Sequence, residues 1–474
     1  MSQVNKEASI NPESRTEPIE QPAVVDGVHG YGREEDWVAP TDPLVLKHLE
    51  WYRDQKVGIF FHFGLYSQIG CVESWLLSDE DKKWSYKDLT WDSPKECQRQ
   101  YKRLNRSFNP IRLVPEQWAR TVRECGMRYI ILTTKHHDGF CLWDTAYTQY
   151  KTTAPECPFS EHKHANIVKS VFNAFRAEGI PTIAYFSKAD WSSPYYWNPE
   201  MAGDRPTDRQ ANYDTRLHPE LWEKFVDFTH NQVMELVEHY GPLEALWFDG
   251  GWVNPRRHED LHMDALMEKA RQVTPGLLVC DRTVGGPNEN FLTPECTIPE
   301  KPMTVPWESC VVLDEKAGWG YGYERGGRSP REITHMLIEV VAKGGNLAIG
   351  IGPQPDGRLP ADSMDTLKQL GAWLAIYGDA LFKTRICAPY QAGAWSFTQK
   401  AGTVYAIRCL GESETPEGLD WTIPYTEPVR AIQVVGQEAP VVHNKTATGL
   451  RVRLDAERFP KGLPLAVAFR LTRQ

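Results

Sequence analysis

The chain has 474 residues, 41% hydrophobic and 24% charged, a length that suits one large domain with a smaller companion. Its 53 basic and 63 acidic residues leave a net charge of −10, which excludes long-range attraction for nucleic acid or anionic lipid. No apolar run reaches the roughly 18 residues of a membrane-spanning helix, and 17 Trp beside 19 Tyr and 17 Phe point to aromatic cores or to a flat, hydroxylated ligand.

Residues 1–36 are polar, carry Pro12, Pro18 and Pro22, and read as an arm. They lack the basic start and apolar stretch of a secretory leader, so a cytoplasmic location is expected. The ten cysteines are scattered without short paired spacing, which predicts reduced thiols rather than a disulfide frame or zinc site.

From 37 to 382, short apolar runs alternate with helical patterns. Asp42-Pro43 starts a helix, with Val45, Leu49 and Tyr52 at helical spacing. The strand Val57 to His62 follows; a helix from Pro115 to Cys125 then leads to the strand Tyr129 to Thr133. The helix Ala165 to Glu178 precedes Pro181 to Phe186, and Pro219 to Tyr240 precedes Glu244 to Asp249. A helix from His258 to Val273 precedes Leu277 to Asp281, and Glu332 to Lys343 precedes Asn346 to Ile349. Ala361 to Ile376 is the last helix. Strands apolar on both faces and separated by helices predict a parallel sheet, here a (β/α)8-like (TIM-type) barrel. From 383 to 474 the pattern changes to short runs divided by Gly, Pro and acidic turns, among them Val404 to Cys409 and Leu450 to Leu454. That predicts an antiparallel β-sandwich.

In such a barrel the chemistry lies at the carboxyl ends of the strands. Those ends read His62, then His136-His137, then Tyr185, then Asp249, then Asp281-Arg282, with Glu308 as a further candidate. Asp249 follows Leu246-Trp247-Phe248 and precedes Gly250-Gly251, so it leaves the core where glycine permits close approach of a ligand. Glu308 lies between Trp307 and Ser309, and an aromatic neighbour that buries a carboxyl raises its pKa, as a general acid needs. Glu295 is a second candidate on the same connection. Two carboxyls in unlike surroundings are what glycoside cleavage requires. The histidines form no His-Glu-x-x-His arrangement, and neighbours at a strand end point to opposite sides, so no metal and no cofactor are expected. Trp75, Trp143, Trp191, Trp247, Trp252, Trp307 and Trp319 fall in or beside these strand-end segments and are expected to face the ligand.

Val57-Gly58-Ile59-Phe60-Phe61-His62-Phe63-Gly64 resembles the opening motif of the α-L-fucosidases of glycoside hydrolase family 29. Lys135-His136-His137-Asp138-Gly139-Phe140, Trp247-Phe248-Asp249-Gly250, Trp307-Glu308-Ser309-Cys310 and Gly345-Asn346-Leu347 are similar to later family motifs, in order. The resemblance implies an exo-acting, retaining fucosidase that takes terminal α-L-fucose from oligosaccharides or glycoconjugates. Asp249 would be the nucleophile and Glu308 the acid/base, with Glu295 the alternative. It further implies that His62, His136, His137, Tyr185, Trp247 and Arg282 bind the sugar, with Trp75 over its methyl face and Glu73 nearby. The family commonly has Glu and Trp adjacent, whereas Ser74 intervenes here, so only one of Glu73 and Trp75 is expected to align. Two other readings remain: a catalytically silent carbohydrate-binding barrel, and a glycosidase for a galactose-like sugar. A homo-oligomer is compatible with the sequence.

Overall fold

The computed structural model describes residues 32–85, 93–201, 207–414, 419–460 and 462–473; of the expected arm, residues 1–31 lie outside them. Helix α1, Pro43–Gln55, begins as its sequence dictates: the Asp42 carboxylate accepts the Leu44 N–H at 2.8 Å and Pro43 occupies the first turn. Its buried stripe, Val45, Leu49 and Tyr52, packs under the barrel strand β1, Val57–Phe61. Helices α2 (Lys82–Ser85), α3 (Pro94–Tyr101) and α4 (Pro115–Glu124) precede β2, Ile130–Lys135. The alternation continues through α5 (Ile167–Ala177), β3 (Thr182–Ser187), α6 (Pro219–His239), β4 (Ala245–Asp249), α7 (Met263–Val273) and β5 (Leu278–Asp281). It ends with β6 (Glu308–Val312), α8 (Pro330–Ala342), β7 (Asn346–Ile351) and α9 (Ala361–Tyr377). Helix α7 starts later than the sequence suggested because His258 and His262 take left-handed backbone, φ 63° and 49°.

The seven strands form one parallel sheet in the order β5-β4-β3-β2-β1-β7-β6, a TIM-like barrel wall. Between the edge strands β5 and β6 runs the irregular segment 289–296. On one side Asn290 N–H donates to Val279 O at 2.9 Å. On the other, Glu308 N–H donates to Leu292 O at 2.8 Å and Cys310 N–H to Pro294 O at 3.0 Å. Pro294 has no N–H to give and Cys296 has φ 49°, so a regular eighth strand is not possible here. Residues 289–296 splice the gap instead.

One sequence expectation fails at this seam. Glu308, expected at a strand's carboxyl end, is the first residue of β6 and pairs with Asn346, the first residue of β7. It therefore belongs to the amino-terminal level of the barrel.

The remaining chain is antiparallel. A five-stranded sheet takes the order β12-β15-β10-β9-β8, and a three-stranded one the order β11-β14-β13. The strands are β8 (Arg385–Ala392), β9 (Trp395–Lys400), β10 (Thr403–Cys409), β11 (Leu419–Ile423), β12 (Val429–Val434), β13 (His443–Thr446), β14 (Gly449–Leu454) and β15 (Ala466–Arg473). The β9–β10 turn is Ala401-Gly402, both at positive φ, the geometry that matches strand twist in a two-residue hairpin. Trp421 of the smaller sheet meets Trp395 and Phe469 of the larger at centroid distances of 6.2 Å each, forming the core between them. The Trp373 indole of α9 donates to Ala466 O at 2.8 Å and ties this unit to the barrel. The ten cysteines are free thiols, and among the described residues no helix is long and apolar enough to cross a membrane.

Candidate active site

Strand alternation sends every second side chain to the barrel axis. On β4 that puts Leu246 and Phe248 against the helices, and Ala245 and Trp247 inside. Asp249 emerges two residues above Trp247 at the mouth. There it joins His62, Glu73 and Trp75 from the segment after β1, and His136 just beyond β2. Tyr185 of β3, and Arg282 and Glu295 from beyond β5, complete one pocket, to which Trp252 and Trp319 also contribute.

Asp249 is held from several sides. Tyr185 donates its hydroxyl to Oδ2 at 2.7 Å, Gly250 N–H donates to Oδ1 at 2.8 Å, and Arg282 lies 3.5 Å from Oδ1. Burial alone would raise the carboxyl's pKa, but the Arg282 charge, with smaller contributions from His137, Tyr185 and Gly250, pulls it below the usual value. Asp249 is thus an anion in a desolvated pocket. The same Arg282 pairs with Glu295, whose other oxygen accepts the Trp319 indole N–H at 2.9 Å. One guanidinium therefore spans two carboxyl groups that face a common space, and its central carbon lies 5.1 Å from the centre of the Trp247 ring.

The imidazoles are neutral. Burial lowers His62 to about 3 and His137 to about 4, and takes His136 well below its ordinary value. Ser187 donates its own proton to Ala189 O at 2.6 Å, so its oxygen accepts from His137 Nδ1–H at 2.6 Å. The neutral ring then presents Nε2 as an acceptor, 3.7 Å from Asp249 Oδ2 and without a partner among the described residues. His137 itself does not line the pocket, whose wall on this side is formed by His136. His136 and His137 do not point to opposite sides, as a strand would require, because β2 ends at Lys135 and both lie in the turn beyond it; their rings are 4.2 Å apart. With Asp249 they bring possible ligand atoms within 4.8 Å of one another, the one such trio among the described residues.

Glu73 and Trp75 both line the pocket, which the intervening Ser74 had argued against. They sit on a 3-10 turn, Glu73–Leu77, that turns Ser74 downward, where its oxygen accepts Asp138 N–H at 3.1 Å and lies 2.5 Å from His136 Nδ1. Glu73 Oε1 accepts Gly320 N–H at 2.7 Å, and burial lifts its pKa to about 7. Ser74 and Ser187 orient the histidines, and sequence reasoning missed both; a serine carries no signal until its neighbour in space is known.

Glu308 is not at the mouth. It lies one inward residue below Cys310, which lines the pocket, and so roughly 7 Å deeper along the strand. It is fully buried, and the Tyr52 and Tyr129 hydroxyls donate to Oε2 while the Trp247 indole donates to Oε1 at 3.3 Å. Burial raises it to about 7. Trp247 stands between Glu308 and the pocket, stacked 5.6 Å from Tyr185 and edge-on to Phe60 at 5.2 Å. Glu308 thus anchors the pocket floor from beneath.

The family profile described as "Alpha-L-fucosidase" matches residues 32–379. The chain is 27% identical over 435 residues to an "Alpha-L-fucosidase" of Branchiostoma floridae, covering 85% of this chain and 88% of that one. It is 28% identical over 350 residues to the "Plasma alpha-L-fucosidase" of Homo sapiens, covering 70% and 69%. Its fold is similar to that of alpha-L-fucosidase isoenzyme 1 from Paenibacillus thiaminolyticus, with a TM-score of 0.73 at 26% identity, over 91% of this chain and all of that one.

Proposed function

We propose, on the premise that this chain belongs to the α-L-fucosidase family and is a glycoside hydrolase, that it removes terminal α-L-fucose with retention of configuration, using Asp249 as nucleophile and Glu295 as acid/base. The observation that carries this is the pair of carboxylates joined by Arg282 in one pocket. An Asp249 oxygen attacks the anomeric carbon while Glu295, acting in its protonated form, gives its proton to the departing glycosidic oxygen. Glu295 then takes a proton from water, whose oxygen displaces Asp249 and releases fucose. Tyr185 and Arg282 orient the nucleophile, and Arg282 also disperses charge as Asp249 loses its negative charge to the fucosyl bond and Glu295 gains one on giving up its proton. His62 and His136 receive or give hydrogen bonds to the sugar hydroxyls, His137 stands behind Asp249 at 3.7 Å, and Trp75 and Trp247 supply flat faces for the sugar's apolar sides.

Glu308 has no part in proton transfer on this reading, because Trp247 intervenes. A second donor is favoured by one observation: Glu73 lines the same pocket and keeps a proton up to about pH 7.

The test is hydrolysis of an aryl α-L-fucoside beside the matching galactoside, with the first-formed anomer followed by NMR. Fucose released first as the α anomer is expected. No turnover would leave a silent binder, β anomer first would mean inversion, and a faster galactoside would reassign the sugar.

A further inference from the structure

After β6 the chain runs as a glycine-rich strap, Gly318-Trp319-Gly320-Tyr321-Gly322-Tyr323, across the edge of the mouth. It is fastened to both pocket glutamates, through the Trp319 indole to Glu295 and the Gly320 amide to Glu73. Gly352 lets it lie flat, since a Cβ there would meet Gly320 C and Tyr321 N at 2.0 Å. Beyond these anchors stand two aromatic rings. Tyr323 is 64% exposed, yet it is not loose. Its hydroxyl donates to Gln68 O at 2.9 Å and its ring rests on Gly70, where a Cβ would come within 2.5 Å of Cδ2. Tyr321 meets it edge-on at 5.4 Å and is itself covered by the Arg325 guanidinium at 5.5 Å, which Asp314 holds at 3.1 Å.

An exposed aromatic residue is ordinary; one pinned at its hydroxyl, base and edge is a pre-organised flat surface, whose ordering cost is met before any ligand arrives. The apolar C–H face of a pyranose ring complements such a surface. We propose that Tyr323, braced edge-on by Tyr321, is the platform on which the saccharide unit attached to the fucose stacks. The inference rests on the reading of Glu295 as the group at the glycosidic oxygen. Trp319 touches Glu295, and Tyr323 is four residues further on, at most about 14 Å of backbone, the reach of one or two sugar rings.

The experiment compares kcat/KM for α-L-fucosyl fluoride, whose leaving group has no ring, with a panel of α1,2-, α1,3-, α1,4- and α1,6-fucosylated oligosaccharides. For Tyr323→Ala, the ratio of the best oligosaccharide to the fluoride is expected to fall about fivefold, mostly through KM. Tyr321→Ala should lower the same ratio, and Tyr323→Phe, which keeps the ring and loses only its hydroxyl anchor to Gln68, should lower it clearly less than Tyr323→Ala does. An unchanged ratio in Tyr323→Ala overturns the platform, as does an equal fall in Tyr323→Phe. Wild-type enzyme that cleaves the fluoride and none of the oligosaccharides overturns the saccharide assignment. Wild-type enzyme inert to the fluoride refutes the fucosidase reading itself, a separate outcome.

Discussion

The barrel holds buried glutamates at two levels, and the contrast between them separates chemistry from support. Glu73 at the mouth and Glu308 beneath the floor are both raised to about 7 by burial. Glu73 faces the pocket, whereas Glu308 faces two phenols and an indole that consume its oxygens. A raised pKa therefore marks desolvation, and access to the reacting atom decides whether that proton is used. Asp249 makes the converse point. It is buried too, yet Arg282 keeps it an anion, as the proposed attack on carbon demands.

The largest test of that division is Asp249→Ala, for which kcat should fall roughly 10³-fold or more, because the attacking atom is gone. Azide should restore turnover and yield β-fucosyl azide; near-normal activity without azide would break the mouth side of the comparison. Next, Glu295→Ala should cost about 10²-fold or more on oligosaccharides and distinctly less on fucosyl fluoride, with azide giving the α-fucosyl product. If Glu73→Gln shows that leaving-group dependence instead, the proton donor is Glu73. In that case wild-type activity falls as pH rises through about 7, where Glu73 loses its proton, and the variant lacks this limb.

The smallest effect belongs to the lower level. Glu308→Gln should reduce kcat/KM about tenfold, equally for fluoride and oligosaccharide and without azide rescue, as Trp247 shifts under the sugar. A leaving-group-dependent loss would return Glu308 to the chemistry. Stability sharpens the point. Burial raises Glu308 from 4.5 to about 7, so its protonated form favours the folded state. That contribution is complete below about 4.5 and is lost as pH rises through about 7. The Tm of wild type should therefore fall relative to Glu308→Gln between pH 5 and 8. A constant difference would show that Glu308 does not titrate in this range.

The parallel strands were legible because runs such as Ala245 to Asp249 are apolar on both faces and end in a polar residue. Most of the pocket followed from those endings. Glu308 misled because an apolar run with one acid does not reveal the strand's direction relative to that acid: Glu308 opens β6, whereas Asp249 closes β4. Glu73 and Trp75 needed the 3-10 turn, and His136 and His137 needed the early end of β2, both local departures from regular periods. In the terminal sheets β8, β11 and β13 were not anticipated. β13 has no fully buried position, β8 has only Cys387, and β11 alternates buried with exposed residues over a short length, so pairing rather than apolar content defines them.

Segment 289–296 divides the site into parts of unlike construction. Asp249 closes a strand laddered on both sides, pairing with Ser187 of β3 itself and following Phe248, which pairs with Asp281 of β5, so a deletion or insertion in β4 would shift the register of the wall. Glu295 rides on a short splice that runs parallel to β6, paired with it through isolated bridges at Leu292–Trp307 and Glu295–Cys310. The carboxyl of Asp249 and that of Glu295 are therefore set by different parts of the chain, one by the continuous strand β4 and one by a splice whose ladder Pro294 interrupts.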